Sequence, residues 1–99
     1  MLDIKIEKEE GKVCAALEGR LDTVTSPDLE KALNEALEDA KELEMDFEKL
    51  EYISSAGLRV LLAAQKQMNK QGSMKLVKVN ETIMGIFEVT GFSEILTIE

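Results

Sequence analysis

Glu51-Tyr52-Ile53-Ser54-Ser55-Ala56-Gly57-Leu58 carries an apolar stretch into a pair of serines and then into a helical pattern. The apolar spacing beyond it predicts a helix over about 56–70, with the serines at its mouth. A Ser at that place has two uses. It can cap the helix by accepting a hydrogen bond from a free backbone N–H. Beside those same N–H groups, it can also carry a phosphate.

Outward from this segment, the apolar period switches repeatedly between two and 3.6. Leu43, Met45 and Phe47 alternate in a short strand before it, and Gln71-Gly72 ends the helix after it. A further strand is expected over 74–79. Asn80 is placed to cap a third helix carrying Ile83, Met84, Phe87 and Val89, closed by Gly91, and 95–98 reads as a last strand. Towards the N-terminus, Leu2, Ile4 and Ile6 alternate, Glu10-Gly11 turns, and Val13, Ala15 and Leu17 alternate again, which predicts a hairpin. Ser26-Pro27 supplies an N-cap followed by Pro at the first helical position. Leu29, Ala32, Leu33, Ala36, Leu37 and Ala40 then share one face of a helix over 27–40.

The expected order is therefore β-β-α-β-α-β-α-β, an α/β chain. Strands joined through helices become parallel neighbours with right-handed crossovers, whereas the opening hairpin adds an antiparallel pair. The expected product is a single domain over 1–99 with a mixed sheet, an N-terminal hairpin and three main helices packed on it.

Composition excludes several functions. With 44% hydrophobic residues in 99, the chain is able to bury roughly 60–70% of its unfolded surface. The 20 acidic against 12 basic side chains give a net charge of −8. Sequence-independent nucleic-acid binding needs Lys and Arg to replace condensed counterions, so nucleic acid is not an expected partner. A protein with a basic face is a better fit. There is no His, so no Ser-His-Asp or Cys-His relay and no imidazole metal site can form. Ser55 lacks a base that would make it an enzymatic nucleophile. No phosphate-cradling GxxxxGK[ST] loop is present, and the carboxylates mostly occupy solvated helix positions. No metal and no cofactor is expected. The lone Cys14 cannot make an internal disulfide and, amid alternating apolar residues, reads as an inert core thiol. No apolar run reaches the ~18 residues of a membrane span, and no signal peptide is read at the start, so the expected location is the cytoplasm, without membrane insertion.

Four motifs in order, Gly19-Arg20-Leu21-Asp22, Met45-Asp46-Phe47, Tyr52-Ile53-Ser54-Ser55-Ala56-Gly57-Leu58 and Val89-Thr90-Gly91-Phe92, resemble the STAS domain of bacterial anti-sigma factor antagonists. The resemblance spans nearly the whole chain. It implies a STAS-like fold and a partner switch. An unphosphorylated antagonist binds an anti-sigma factor that is also a Ser kinase and so frees a sigma factor; phosphorylation by that kinase breaks the complex, and a Ser phosphatase resets it. The acceptor is the Ser two positions before the motif's Gly, here Ser55, with Ser54 as the alternative acceptor. Asp22, Ser54, Ala56 and Gly57 form its neighbourhood by the same resemblance. One departure stands out: Ser54 replaces the Asp that well-known members carry immediately before the acceptor, and Ala56 stands where they often have Ser or Thr.

On the helix after Ser55, Leu58, Leu61, Leu62 and Met68 cluster on one side, while Ala56, Arg59, Ala63, Lys66 and Lys70 follow on the other. The second stripe is a candidate partner-binding face. Plainer roles stand beside each of these. Either Ser is a cap, Gly57 eases helix packing, Asp22 organises the turn before the first helix, Asp46 makes a structural hydrogen bond, and the late Lys residues complement a helix C-terminus. The alternative function within the same resemblance is a STAS adaptor subunit that binds a transport ATPase or another transporter partner without phosphorylation.

Overall fold

The computed structural model describes residues 2–99. β1 (Leu2–Glu9) and β2 (Lys12–Leu21) form the expected hairpin. Its turn, Glu10-Gly11, has positive φ at both residues, 39° and 87°, the pair of conformations that lets a two-residue turn follow the right-handed twist of its strands. Then come α1 (Ser26–Ala36), β3 (Glu42–Ile53), α2 (Ser55–Gln71), β4 (Ser73–Val77) and α3 (Glu81–Thr90). The sheet order is β1-β2-β3-β4, antiparallel between β1 and β2 and parallel in the other two pairs. This is the expected mixed sheet.

The core lies on one face of that sheet. Val13, Ala15 and Leu17 of β2, Leu43, Met45 and Phe47 of β3, and Met74 and Leu76 of β4 are buried against Leu29 and Leu33 of α1, Leu58, Leu61 and Met68 of α2, and Ile83 and Phe87 of α3. The Phe47 and Phe87 rings sit 6.2 Å apart at a tilt of 47°, within the favourable range for an aromatic pair. The residues between them in sequence, Cys14, Ala16, Glu44, Asp46, Lys75 and Val77, are only half-buried. Thus the three helices cover one side and leave the other open. Cys14 is corrected accordingly. Because Val13 and Ala15 point inward, strand alternation turns the thiol to the open face, in register between Glu7 and Glu44.

Further expectations change. The strand over 95–98 is replaced by a 3-10 turn at Phe92–Glu94 and one parallel bridge, Leu76 to Ile98. The Ile95 and Leu96 N–H groups both donate to the Phe92 carbonyl, so the chain stays coiled until Leu96 is buried and only the last residues run extended. α1 ends at Ala36 rather than at 40, because the Gln71 side-chain amide takes the Leu37 and Ala40 carbonyls at 2.7 and 2.6 Å. Ser26 does not cap α1; its hydroxyl donates to the Asp22 carbonyl, and Thr25 occupies the cap position. On α2, Leu62 is only half-buried beside its buried neighbours Leu58 and Leu61.

β3 is longer than the short strand expected, twelve residues against an alternation visible only at 43–47. Its pairing with β2 slips twice: Ala16 pairs with Asp46 but Glu18 with Lys49, and Gly19 pairs with Leu50 but Arg20 with Tyr52. Each slip inserts one extra residue into β3, a bulge that turns the side-chain sequence by one position. The inward residues therefore run 43, 45, 47, 50, 53. This places Ile53 inward beside Leu21 and lets the following serines emerge at the carboxyl end of the sheet.

Candidate functional site at the start of α2

Two neighbouring parallel strands end together. Leu21 of β2 pairs with Ile53 of β3, and the Ser54 N–H donates to the Leu21 carbonyl at 2.8 Å. Asp22 follows one strand and Ser54 follows the other, so the turn before α1 and the first turn of α2 share one edge of the domain.

The two serines divide the work. Ser54 is the N-cap, extended at φ −90° and ψ 174°, and its Oγ accepts from the Gly57 N–H at 3.4 Å. Ser55 is the first residue of α2 and is exposed. Its hydroxyl has no hydrogen-bond partner among the described residues. Capping thus falls to Ser54, and the Ser55 hydroxyl is left facing solvent. Gly57 is buried because nothing larger fits: a Cβ there would lie 2.7 Å from Leu21 Cγ and 3.0 Å from Ile53 Cγ2. Close approach of α2 to the two strand ends is what requires glycine.

Asp22 is fully engaged at one oxygen. Its Oδ1 accepts from the Val24 and Thr25 N–H groups at 3.0 Å each and lies 3.2 Å from the Thr25 hydroxyl. That hydroxyl donates to the Arg20 carbonyl at 2.8 Å and accepts from the Asp22 N–H at 2.9 Å. The Thr25 N–H is the main cause that holds the Asp22 carboxyl below its ordinary value, against a smaller opposing effect of burial. Asp22 therefore organises its own turn through Oδ1, and its Oδ2 atom has no hydrogen-bond partner among the described residues. Thr25, a buried threonine that closes this turn, is a residue the sequence reasoning missed; the Asp-x-x-Thr spacing was its only signal.

Around this edge lie groups that can meet a partner. Ala56, half-buried, lines a groove between α1 and α2 with Thr23, Pro27, Arg59 and Val60. Arg59, Ala63, Lys66 and Lys70 are exposed down the same side of α2. Among the described residues none of the three cations lies within ion-pair distance of a carboxylate. Val24, 82% exposed, projects from the Asp22 turn. The Arg20 guanidinium stacks 4.5 Å from the Tyr52 ring, a pair brought together by their strand register. Sequence reasoning quoted Arg20 and Tyr52 only as motif letters, because the second bulge that aligns them is invisible in the sequence. Asp46 is a structural group, as read: Oδ1 accepts from the Glu48 N–H at 2.9 Å and Oδ2 lies 3.9 Å from Lys78 Nζ. A separate indentation lies on the open sheet face, between Asp3, Lys5, Ala16, Asp46 and Lys49, and shares no lining residue with the groove beside Ala56. No group of acidic, Cys or His side chains able to hold a metal is found among the described residues.

The STAS domain family matches residues 3–99. This chain belongs to that family. The STAS chain is 30% identical over 99 residues to BtrV of Bordetella bronchiseptica, provisionally described as an anti-sigma factor antagonist, covering 98% of this chain and 85% of that one. It is 26% identical to the anti-sigma-B factor antagonist of Bacillus subtilis, covering 98% and 90%. A crystal structure of an anti-sigma factor antagonist from Mycobacterium paratuberculosis superposes at TM-score 0.88 with 23% identity, over 99% of this chain and 85% of that one. SpoIIAA, another antagonist of this fold, has been solved both unphosphorylated and phosphorylated, and each form matches at TM-score 0.76, with 17% and 18% identity. The STAS fold expected from the four motifs is the fold observed, short of its last strand.

Proposed function

We propose that this STAS protein is an anti-sigma factor antagonist switched by phosphorylation of Ser55. Its partner in the unphosphorylated state is an anti-sigma factor with Ser kinase activity, and a Ser phosphatase restores the binding form. The protein is a substrate and a binding module rather than an enzyme, and it works in the cytoplasm. The observation that carries the reading is the division between the serines: Ser54 supplies the cap, so Ser55 is exposed and its hydroxyl is free for a kinase. The relatives' descriptions as anti-sigma factor antagonists support the partner class.

The missing acidic residue before the acceptor is met locally. Ser and Asp cap helices about equally well, so Ser54 keeps the geometry that presents Ser55 and gives up only a negative charge. A phosphate there adds about −1.5 to −2 charge at pH 7. At the first turn of α2 it meets the positive end of the helix dipole, a gain of about 0.3–1 kcal/mol. Binding fails for a different reason. A phosphate caught unpaired between packed surfaces costs several kcal/mol in desolvation, and about 4 kcal/mol is roughly a thousandfold in Kd. Ala56, Arg59, Ala63, Lys66 and Lys70 form the contact face in this reading, with exposed Val24 of the Asp22 turn as an apolar contact.

Phosphopeptide mapping after incubation with ATP and a lysate of the native cells tests it. Phosphate on Ser55 that is absent from Ser55→Ala is the expected result. No phosphate on either serine, while another antagonist in the same lysate is modified, would sink the switch and favour an adaptor that binds a transporter partner.

A further inference from the structure

The chain treats the two edges of its sheet differently. At the β4 edge the C-terminal segment lies alongside: the Leu76 N–H donates to the Thr97 carbonyl and the Glu99 N–H to the Leu76 carbonyl, both at 2.9 Å. The β1 edge has no such cover. Among the described residues β1 pairs with β2 on one side and with no strand or bridge on the other. An edge row of unpaired N–H and C=O groups is a template for another strand unless proline, a bulge or an inward charge blunts it. None of these is present over residues 2–6. The register with β2 runs unbroken from Leu2 to Glu9, and the inward residues Leu2, Ile4 and Ile6 are only half-buried against the core. On the inward face charge begins only at Lys8, while Asp3, Lys5 and Glu7 carry their charges on the open face.

The open segment is also complementary to itself. We infer that a second copy of this chain pairs antiparallel with β1, with Ile4 facing Ile4 across a two-fold axis. In that register Asp3 stands opposite Lys5 on both sides of the axis, on the open face, while Leu2 stands opposite Ile6 on the helix face. Directly opposed residues of an antiparallel pair share a face, so both sets match. The neighbouring registers do not. Centring on Lys5 sets lysine against lysine and Asp3 against Glu7; centring on Ile6 sets Ile4 against Lys8 and Asp3 against Glu9. A slip by one residue turns the apolar face of one copy onto the charged face of the other.

The product is one continuous eight-stranded sheet with the helices of both copies on the same side. β2 separates β1 from β3 by roughly 10 Å of sheet, so Ser55 at the end of β3 stays uncovered in each copy. The pairing needs no phosphate and is independent of the switch. Five residues a side fall short of a standard interface, so association is reversible and rises with concentration.

Sedimentation equilibrium of the full chain is expected to show the mass rising from 11.0 kDa towards twice that value as concentration increases. Lys5→Asp opposes two carboxylates on each side of the axis and is expected to weaken dimerisation roughly tenfold or more. Asp3→Lys does the same with two ammonium groups, and the double substitution restores the wild-type strength. Both positions are exposed, and circular dichroism confirms that each variant stays folded. In the wild type, amide exchange over residues 2–6 slows as concentration rises. A chain that remains at 11.0 kDa up to roughly 1 mM overturns the inference. So does a dimer that the double substitution fails to restore, or one whose β1 amides exchange equally fast at all concentrations.

Discussion

Ser54 and Gly57 set the first turn of α2, and Asp22 sets the turn before α1. Because the Ser54 bond to the Gly57 N–H is long at 3.4 Å, Ser54→Ala is expected to cost only about 0.5–1 kcal/mol, read from urea unfolding, and to leave phosphate incorporation at Ser55 intact. Gly57→Ala costs more, about 1–3 kcal/mol, since its methyl group must push apart Leu21 and Ile53 in a packed site. For Asp22 the useful variable is pH. A carboxyl whose folded pKa lies below its unfolded value adds stability that is present above the ordinary 3.8 and is lost as pH falls through the lower folded value. Asp22→Asn should therefore be less stable than wild type at neutral pH, with the gap closing below about pH 4. The effect is small because the group faces solvent. Melting curves that run parallel from pH 7 to acid would show that the carboxylate does not anchor the turn.

At the scale of elements, regular periodicity was legible and irregularity was not. The hairpin, α2, α3 with its Asn80 cap and Gly91 stop, and the start of β4 follow from local spacing and turn residues, and the four motifs place Ser55 at the head of α2. The second half of β3 was hidden because two bulges change the inward spacing from two to three, which reads as neither strand nor helix. The last strand was over-read: Ile95 to Ile98 look extended, but burying Phe92 and Leu96 keeps that stretch coiled. The division of labour between the serines was left open by sequence, since both types of use need a Ser at a helix mouth, and only the backbone at Ser54 assigns the cap.

Asn80 shows what stabilises the irregular strand. Its Nδ2 donates to the Phe47 and Leu50 carbonyls at 3.1 and 2.8 Å, with Glu48 at 3.3 Å, and its Oδ1 accepts from the Ile83 N–H at 3.0 Å. One side chain thus satisfies the bulged strand beyond the end of β4 and caps α3. Asn80→Ala should cost about 2–3 kcal/mol, a lost cap plus stranded carbonyls. In amide exchange, the loss of protection should be concentrated in α3 and residues 47–50. A uniform loss across the domain would show that Asn80 does not act locally.

For the whole molecule, the question is whether the proposed switch at Ser55 would act through the fold or through the surface. The fold gives little leverage. The core sits under the sheet face, Ser55 is exposed above it, and a phosphate at the first turn of α2 is favourable to the helix. The surface gives a great deal. A molecule of net charge −8 presents one side of α2 with three cations that pair with no carboxylate among the described residues, and a dianion at its head changes what a partner meets there. With phosphoserine installed at position 55, the melting temperature is therefore expected to stay level or rise by a few degrees, corresponding to about 0.3–1 kcal/mol. The Kd for the proposed kinase partner should rise roughly a thousandfold, most of it as faster dissociation, because the cost falls on the packed complex. A phosphorylated chain that melts well below the unmodified one would place the switch in the fold instead, since binding would then be lost with the structure that presents it.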